Sequence, residues 1–168
     1  VEEIGKMVRQ FEETLYIVDG VCATAGETEY VDDMGIDILL TGTQKAFGVS
    51  PGLAILWAGP KALARRSSLG RIPEYYIDFD KWLPIMHDPA KYFATPAVNL
   101  IWALKESVAL IKAEGLENRY ARHKKVATAM QAALEALGFR ILAEYNCRAV
   151  TLSNVIYPEG LDDAAFRK

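Results

Sequence analysis

Two continuous apolar runs, each closed by small or polar residues, dominate the first part of the chain. The first run covers residues 15–18 and ends at Asp19, and the second covers residues 36–40. Short apolar runs of this kind are typical of parallel strands buried on both faces. Apolar residues at helical spacing over residues 1–13 precede them and predict a surface helix. A helix followed by buried strands predicts an α/β fold.

A third apolar run, over residues 53–57, follows the second after a short connection, residues 42–52. This connection is too short for a crossover helix, which takes about a dozen residues or more between parallel strands. The third strand is therefore predicted to run antiparallel to the second. The resulting sheet is mostly parallel with one antiparallel strand, and this argues against a plain dinucleotide-binding fold, which needs a helix at that point.

Residues 74–96 are rich in aromatic side chains and show no regular spacing. A structureless stretch of this length is usually functional or part of an interface. A short helix is predicted before it, over residues 61–66. After it, Pro96 suits the first turn of a helix with one apolar stripe, which consists of Val98, Leu100, Ile101, Leu104, Val108 and Ile111.

The last third of the chain follows a different pattern. A second long helix is predicted from about residue 116 to 137, with Gly138 as its C-terminal glycine. Residues 139–142 and 150–156 are strand-like, and residues 160–163 begin another helix. This helix-helix-strand-strand series differs from the buried strands before it.

The change in pattern predicts a domain boundary near Glu114-Gly115. It divides the chain into residues 1–114 and residues 115–168. The sequence shows no internal repeat and no low-complexity linker.

Composition narrows the class of protein. The chain of 168 residues is 51% hydrophobic and 24% charged, as in ordinary globular proteins, so disorder is not expected. Its 19 Lys and Arg residues against 22 Asp and Glu residues give a net charge of -3, without long runs of either sign. Nucleic acid and anionic membranes are therefore poor candidates as partners. No signal peptide or spanning segment is predicted.

The cysteines indicate neither a disulfide framework nor a metal site. Cys22 and Cys147 have no metal-ligand spacing with His87 or His123, so no metal is predicted. A reducing, cytoplasmic setting is the expectation for two unpaired cysteines.

Lys45 and Asp19 are the candidate reactive residues. Lys45 lies in a loop between the second and third apolar runs. Lysine is seldom buried unless it is paired or reactive, and a desolvated lysine has a neutral amine available for Schiff-base chemistry. Asp19 ends the first run, and ligands of open α/β sheets bind where parallel strands end. An amine and an acid there suit pyridoxal phosphate, because the lysine holds the aldehyde and the acid keeps the pyridine nitrogen protonated. The alternatives are a solvated loop lysine and a mere turn signal at Asp19.

Several segments of the chain resemble the class V aminotransferases, most closely the alanine–glyoxylate and serine–pyruvate aminotransferase branch. They are residues 17–21, 35–46, 51–52, 75–78, 92–96, 106–111 and 115–118. The resemblance implies a fold-type-I, pyridoxal-phosphate-dependent transferase. Residues 1–114 would form the C-terminal part of the large cofactor-binding domain and the start of the interdomain helix. Residues 115–168 would form an incomplete α+β small C-terminal domain.

The resemblance also implies roles for individual residues. Lys45 would be the Schiff-base lysine and, once released, the general acid/base that moves a proton between the substrate α-carbon and cofactor C4′. Asp19 would pair with the pyridinium nitrogen, and Val21 would pack under the ring. Gln44 would contact the cofactor phosphate or its neighbourhood.

By the same resemblance, Tyr92 and Thr95 reach the neighbouring site in a homodimer and hydrogen-bond the phosphate there. The implied activity is ping-pong transamination from alanine or serine to glyoxylate or pyruvate. A packed surface loop is the alternative interpretation of this aromatic stretch.

The chain departs from the family pattern in two respects. The first is that the family often has a hydroxyl residue shortly after the aspartate, where this chain has Cys22-Ala23-Thr24. Neither the upstream glycine turn and stacking ring nor the downstream carboxylate-binding arginine is found, and Arg71 and Arg148 are not at the matching position. The chain opens at Val1 without a methionine and stops at Lys168 in a helical pattern. We therefore expect the central-to-late part of an aminotransferase that lacks both ends.

Two other functions remain as alternatives. Cys147 would be the sulfur acceptor of a cysteine desulfurase-like lyase, although no flanking pattern supports it. The chain would otherwise be a non-catalytic truncated fragment of the aminotransferase. His87 has no partner motif, and His123 lies among cationic residues on a predicted solvated helix face.

Overall fold

The computed structural model describes residues 1–168, and a three-stranded sheet organises its first half. After helix α1 (Glu2–Val8), strand β1 (Ile17–Asp19) pairs in parallel with β2 (Ile38–Gly42). Strand β2 pairs antiparallel with β3 (Ala54–Ala58), so the order is β1-β2-β3. The predicted α/β sheet with one antiparallel strand is confirmed.

One face of this sheet is buried and the other is open. Leu39 and Thr41 of the central strand point to the buried face, with 7% and 4% of their surface exposed. By the register, Ile17 and Leu56 share the opposite face, where both are about half exposed. The prediction of strands buried on both faces is therefore wrong for this chain, because its other elements cover only one face.

Helix α2 (Pro60–Ser68) is joined to the start of helix α3 (Phe79–His87) by an ion pair. Arg66 donates from Nε and Nη2 to the two carboxylate oxygens of Asp78, at 2.5 and 2.7 Å. The hydrogen bonds from the Arg66 guanidinium lower the pKa of Asp78. Because Asp78 is buried, the pair fixes where α3 begins.

Residues 74–96 are not irregular as predicted. They contain α3 and a 3₁₀ turn, Pro89–Lys91. The Asp78 side chain accepts a hydrogen bond from the Asp80 amide at 3.0 Å and so caps the helix. Aromatic rings from the helix and the flanking loops pack together with centroids 4.9 to 6.0 Å apart; they belong to Tyr75, Tyr76, Trp82 and Phe93. The helix was missed because its aromatic residues contact the loops rather than form one stripe.

Two long helices follow, α4 (Val98–Glu114) and α5 (Leu116–Ala136), and Gly115 joins them with a φ of 83°. This left-handed backbone suits glycine, which has no Cβ to clash. The first of these helices begins later than predicted, because Pro96 precedes the N-cap residue Ala97 and lies outside the first turn.

The predicted apolar stripe of α4 is split between two faces. Ile111 is buried, and Leu100 and Leu104 are half-buried beside it on one face. Val98, Ile101 and Val108 are exposed instead. Helix α4 therefore has an inner apolar face and a second apolar face open to solvent.

A small C-terminal unit closes the chain. Strands β4 (Arg140–Ile141) and β5 (Val155–Ile156) pair antiparallel and are shorter than predicted. Helix α6 (Asp163–Phe166) begins after Asp162, whose side chain accepts from two helix amides. The strands are short because the residues next to them pack through their aromatic rings instead of pairing further. The ring centroids of Phe139, Tyr157 and Phe166 lie 5.7 to 5.8 Å apart.

The buried apolar side chains are few: Ile36, Leu39, Ala62, Ile111, Phe139 and Ile141. None of the helices combines the length and apolar composition needed to cross a lipid bilayer. The domain boundary at Glu114-Gly115 stays a prediction.

Candidate active site

Asp19 ends β1 and presents a carboxylate at the edge of the sheet. Its Oδ1 accepts a hydrogen bond from the Val21 amide at 2.9 Å, and the protein donates no hydrogen bond to Oδ2. The Gly20 amide donates to the Leu40 carbonyl at 2.9 Å, which continues the pairing with β2 past the strand end. Asp19 is thus held by the backbone with one oxygen free to accept a further hydrogen bond.

The loop after β2 is anchored by a buried hydroxyl residue and presents Lys45. Thr43 is fully buried, and its hydroxyl donates to the Ser50 carbonyl at 2.9 Å while its amide donates to the Leu53 carbonyl at 3.2 Å. Gln44 and Lys45 follow and are exposed. Lys45 is therefore a solvent-accessible loop residue and not a buried lysine. What distinguishes it from other exposed lysines is its location just after β2.

The two loops lie at one edge of the sheet and touch each other. Because β1 and β2 are parallel, their carboxyl ends lie at the same edge of the sheet. Asp19 is the last residue of β1 and Lys45 follows β2, so both residues lie at that edge. A Cβ built on Gly26 would lie 3.3 Å from the Ala46 Cβ and 2.5 Å from Thr151 Cγ2. Such a close approach of backbone to neighbouring side chains leaves room for glycine alone.

Tyr92 and Thr95 are not joined to this edge within one chain. Both are exposed and lie after the 3₁₀ turn. No hydrogen bond links either of them to Asp19, Gln44 or Lys45. Their predicted role in a neighbouring site stays a prediction.

Sequence reasoning missed Arg119, which lies in the first turns of α5 and contacts both loops. Its Nε donates to the Ala25 carbonyl at 2.6 Å, and its Nη2 donates to the Ala46 carbonyl at 2.5 Å. Its Nη1 donates to Glu114 Oε2 at 3.2 Å. The partners are backbone carbonyls far away in sequence, so no pattern of side chains could have indicated them.

Glu114, at the end of α4, is the acid that holds this arginine. It also accepts from Arg122 Nε at 2.5 Å and from Nη2 at 3.0 Å. Hydrogen bonds from Arg122, and then from Arg119, lower the pKa of Glu114 to about 2. The carboxylate is therefore ionised at neutral pH and keeps both guanidinium groups in place.

A second acid, Glu29, belongs to the connection that follows Asp19. Burial raises the pKa of Glu29, and the nearby Glu27 carboxylate adds to the effect, while the Thr24 hydroxyl acts in the opposite direction. Glu29 Oε2 and Thr24 Oγ1 are both buried without a geometrically sound hydrogen bond. Glu29 is thus a half-buried carboxyl for which the charged form is disfavoured.

One cavity with charged lining residues lies away from this edge. It has a volume of about 680 Å³ and lies at the other end of the sheet, where Arg9, Asp37 and Lys61 are among its lining residues. A smaller cavity of about 170 Å³ adjoins Cys147 in the C-terminal unit, and that cysteine is exposed with no hydrogen bond from its thiol. The first cavity also contains an amine and a carboxylate, since Lys61 Nζ lies 3.9 Å from Asp37 Oδ2. It lies away from the carboxyl ends of the parallel strands, where ligands of open α/β sheets bind, so the edge with Asp19 and Lys45 is the better candidate.

Comparison with known proteins gives the family of the chain. The sequence profile described as "Aminotransferase class-V" matches residues 1–162. The chain belongs to the class V aminotransferase family. An uncharacterised aminotransferase of Methanocaldococcus jannaschii is 36% identical over 99% of this class V chain and 43% of its own length. The serine–glyoxylate aminotransferase of Hyphomicrobium methylovorum is 34% identical over 92% of the chain and 38% of its own length.

A solved structure shows the same architecture. The alanine–glyoxylate aminotransferase of Nostoc sp. superposes on 98% of this class V chain with a TM-score of 0.90 and 30% identity, over 44% of its own length. The resemblance to class V aminotransferases and the fold-type-I assignment are thereby confirmed. The chain spans less than half the length of these relatives.

Proposed function

We propose that this class V chain contributes Lys45 and Asp19 to a pyridoxal-phosphate-dependent aminotransferase. The reaction moves the amino group of a small amino acid, alanine or serine, to glyoxylate or pyruvate. The observation that carries the proposal is that a free Asp19 oxygen and the exposed Lys45 amine lie at the same edge of the sheet. The names of the serine–glyoxylate and alanine–glyoxylate relatives support this choice of substrates.

The residues at this edge fit pyridoxal phosphate. The Lys45 amine suits the cofactor aldehyde, and Asp19 Oδ2 is free to accept the N–H of a protonated pyridine nitrogen. Val21 is half-buried next to Asp19, where an apolar side chain suits the ring, and the exposed amide of Gln44 suits the phosphate. When bound, the cofactor supplies an electron sink for the carbanion formed at the substrate α-carbon.

Lys45 Nζ is the proposed base that removes the proton from the amino-acid α-carbon, and later returns a proton to the reacting group. Its loop supports this role, because buried Thr43 fixes the loop base while Lys45 itself is exposed and free to change its direction. Asp19 Oδ2 would accept the N–H of the pyridine nitrogen and so favour its protonated form. The backbone bond from Val21 fixes the direction of that carboxylate.

A homodimer would complete the site, with Tyr92 and Thr95 reaching the neighbouring subunit. The packed rings of Tyr75, Trp82 and Phe93 give this segment a defined shape, and both residues are exposed on it. A segment that is ordered and open to solvent is available to a partner chain.

An amino-transfer assay tests this function. The protein, in the form its gene encodes, is given pyridoxal phosphate, alanine or serine, and glyoxylate, and glycine formation is measured. We expect Lys45→Ala to reduce the rate by about 10³-fold or more, the scale of losing a general base. Lys112→Ala, which removes an exposed lysine of α4, should leave the rate unchanged. Equal rates for Lys45→Ala and the wild type would overturn the proposal.

Neither alternative function has a specific observation in its favour. A desulfurase-like enzyme would release sulfide from free cysteine, and this release would depend on Cys147. The Cys147 thiol makes no hydrogen bond to Asp19 or Lys45. A non-catalytic chain would show no change in the absorbance of added pyridoxal phosphate.

A further inference from the structure

We propose that Arg119 is a positioning residue that holds the loop after Asp19 and the loop of Lys45 in one fixed arrangement. The inference rests on the proposed function, since it concerns how that site is kept in register. Arg119 does not touch the reacting atoms; it acts on the backbone next to the residues that would.

The contacts of Arg119 fall on both loops at once. The Ala25 carbonyl belongs to the turn that follows Asp19, and the Ala46 carbonyl directly follows Lys45 in the chain. A guanidinium group is planar and presents its donors in a rigid fork. Two carbonyls bound to one fork are therefore held at a fixed distance and direction from each other.

The backbone around these carbonyls is shaped for this contact. Ala25 has a φ of 69°, in the left-handed region that residues other than glycine seldom adopt. Gly26 packs against Ala46, where a Cβ would be 3.3 Å from the Ala46 Cβ. An uncommon backbone conformation and a close approach next to a charged donor indicate that the loop contact is built into the fold.

Arg119 is itself fixed by its surroundings. Only 12% of its side chain is exposed, and Glu114 binds the remaining side of the guanidinium. Arg122 shares the same glutamate, yet 51% of its side chain is exposed and it touches neither loop. The arginine that contacts the two loops is thus the less exposed of the pair, and its neighbour offers a matched control.

The position of Arg119 links the loops to the helix junction. It follows Gly115, which joins α4 and α5. A second contact from the C-terminal residues supports the same loop, because Glu27 Oε1 accepts from the Val150 amide at 2.7 Å. Movement of α5 relative to the sheet would therefore displace both loops together.

Hydrogen exchange on the cofactor-free protein tests the inference directly. We expect Arg119→Ala to speed amide exchange by about tenfold in both residues 23–27 and residues 46–49, since each loop loses a bond to a charged donor. Arg122→Ala should leave exchange in both segments unchanged. If Arg119→Ala does not fold, Arg119→Lys decides, because an ammonium keeps the charge but lacks the planar fork, and we expect about threefold faster exchange in both segments.

Cofactor capture supplies the second readout. In Arg119→Ala, the rate at which borohydride fixes pyridoxal phosphate on Lys45 should fall by about tenfold or more, with Arg122→Ala at the wild-type rate. Wild-type exchange in either loop of a folded Arg119 variant would overturn the inference, and so would equal effects of the Arg119 and Arg122 substitutions. If the wild-type protein captures no cofactor, the proposed function fails, and the exchange result alone decides the role of Arg119.

Discussion

The location of Asp19 and Lys45 at one end of the sheet could be predicted from the sequence, whereas the contacts of Arg119 and the burial of Glu29 could not. Each of the first two follows an apolar run, and the connection lengths alone fix which strand ends share an edge. Arg119 acts through the carbonyls of Ala25 and Ala46, 94 and 73 residues away, and every residue type offers the same carbonyl. The properties of Glu29 come from burial, which periodicity does not indicate inside an irregular loop. Candidate reactive side chains at strand ends can therefore be identified from the sequence. Side-chain contacts to backbone that is distant along the chain cannot.

Glu29→Gln is expected to stabilise the protein at neutral and higher pH. Burial raises the pKa of Glu29 in the folded state, so its favourable contribution is complete below the ordinary glutamate pKa and is lost as pH rises through the raised value. Glutamine avoids the charge. At about pH 8 we expect a gain on the order of 0.5 kcal/mol, small because solvent screens a half-buried site, and no gain at about pH 4.

Urea unfolding at the two pH values measures this difference. Glu12→Gln, at an exposed glutamate of the connection before β1, is the control and should change stability at neither pH. A gain for Glu29→Gln that is the same at both pH values would show that the raised pKa is not its source.

Among the secondary-structure elements, those bounded by glycines were predicted most accurately. Helix α5 was predicted over residues 116–137 and is found at Leu116–Ala136, because Gly115 and Gly138 bound it. Helix α3 was missed, since it holds Pro84 and packs its rings against loops. Its start depends on Asp78, whose pairing with Arg66 is a tertiary contact. Local signals thus locate helices that end at glycines, and long-range pairs decide the others.

Two aspartates that cap short helices allow the contribution of that pair to be isolated. Asp88 accepts from the Ala90 amide at 3.0 Å, as Asp78 does from the Asp80 amide, but Asp88 has no arginine partner. Asp88→Ala should cost about 1 kcal/mol or less, the usual loss of a cap. Asp78→Ala should cost clearly more, because it also removes the two-point partner of the largely buried Arg66 guanidinium, which then keeps only the half-exposed Asp80 carboxylate at 3.0 Å. Urea unfolding compares the two variants, and equal losses would mean that the ion pair adds nothing to the cap.

The molecule as a whole has a small core and large exposed apolar surfaces. Only 14 of its 168 residues are buried, and side chains such as Ile77, Met86, Trp102 and Leu110 are more than half exposed. Fold class and sheet topology were predictable because short connections leave few alternatives. Which faces of the sheet and helices are covered was not predictable, because apolar spacing identifies an apolar face but not the element that packs on it. Apolar surface of this extent is available for contact with other polypeptide, as the proposed homodimer requires.

Mixed dimers test whether Tyr92 and Thr95 act across a subunit interface. One subunit carries Lys45→Ala and the other carries Tyr92→Phe with Thr95→Ala, and each homodimer is expected to be impaired. In the mixed dimer one site would combine an intact lysine with an intact phosphate-binding segment, so about half of the wild-type activity per dimer should return. Glycine formation after co-refolding measures it. If the residues act within their own subunit, mixing restores nothing.

Peptide mapping after reduction tests most directly whether Lys45 holds the cofactor. The protein is incubated with pyridoxal phosphate, reduced with borohydride, digested, and examined by mass spectrometry. We expect one phosphopyridoxyl group on the peptide that contains Lys45, lost in Lys45→Ala and kept in Lys112→Ala. A label on another lysine, or one that persists in Lys45→Ala, would contradict it.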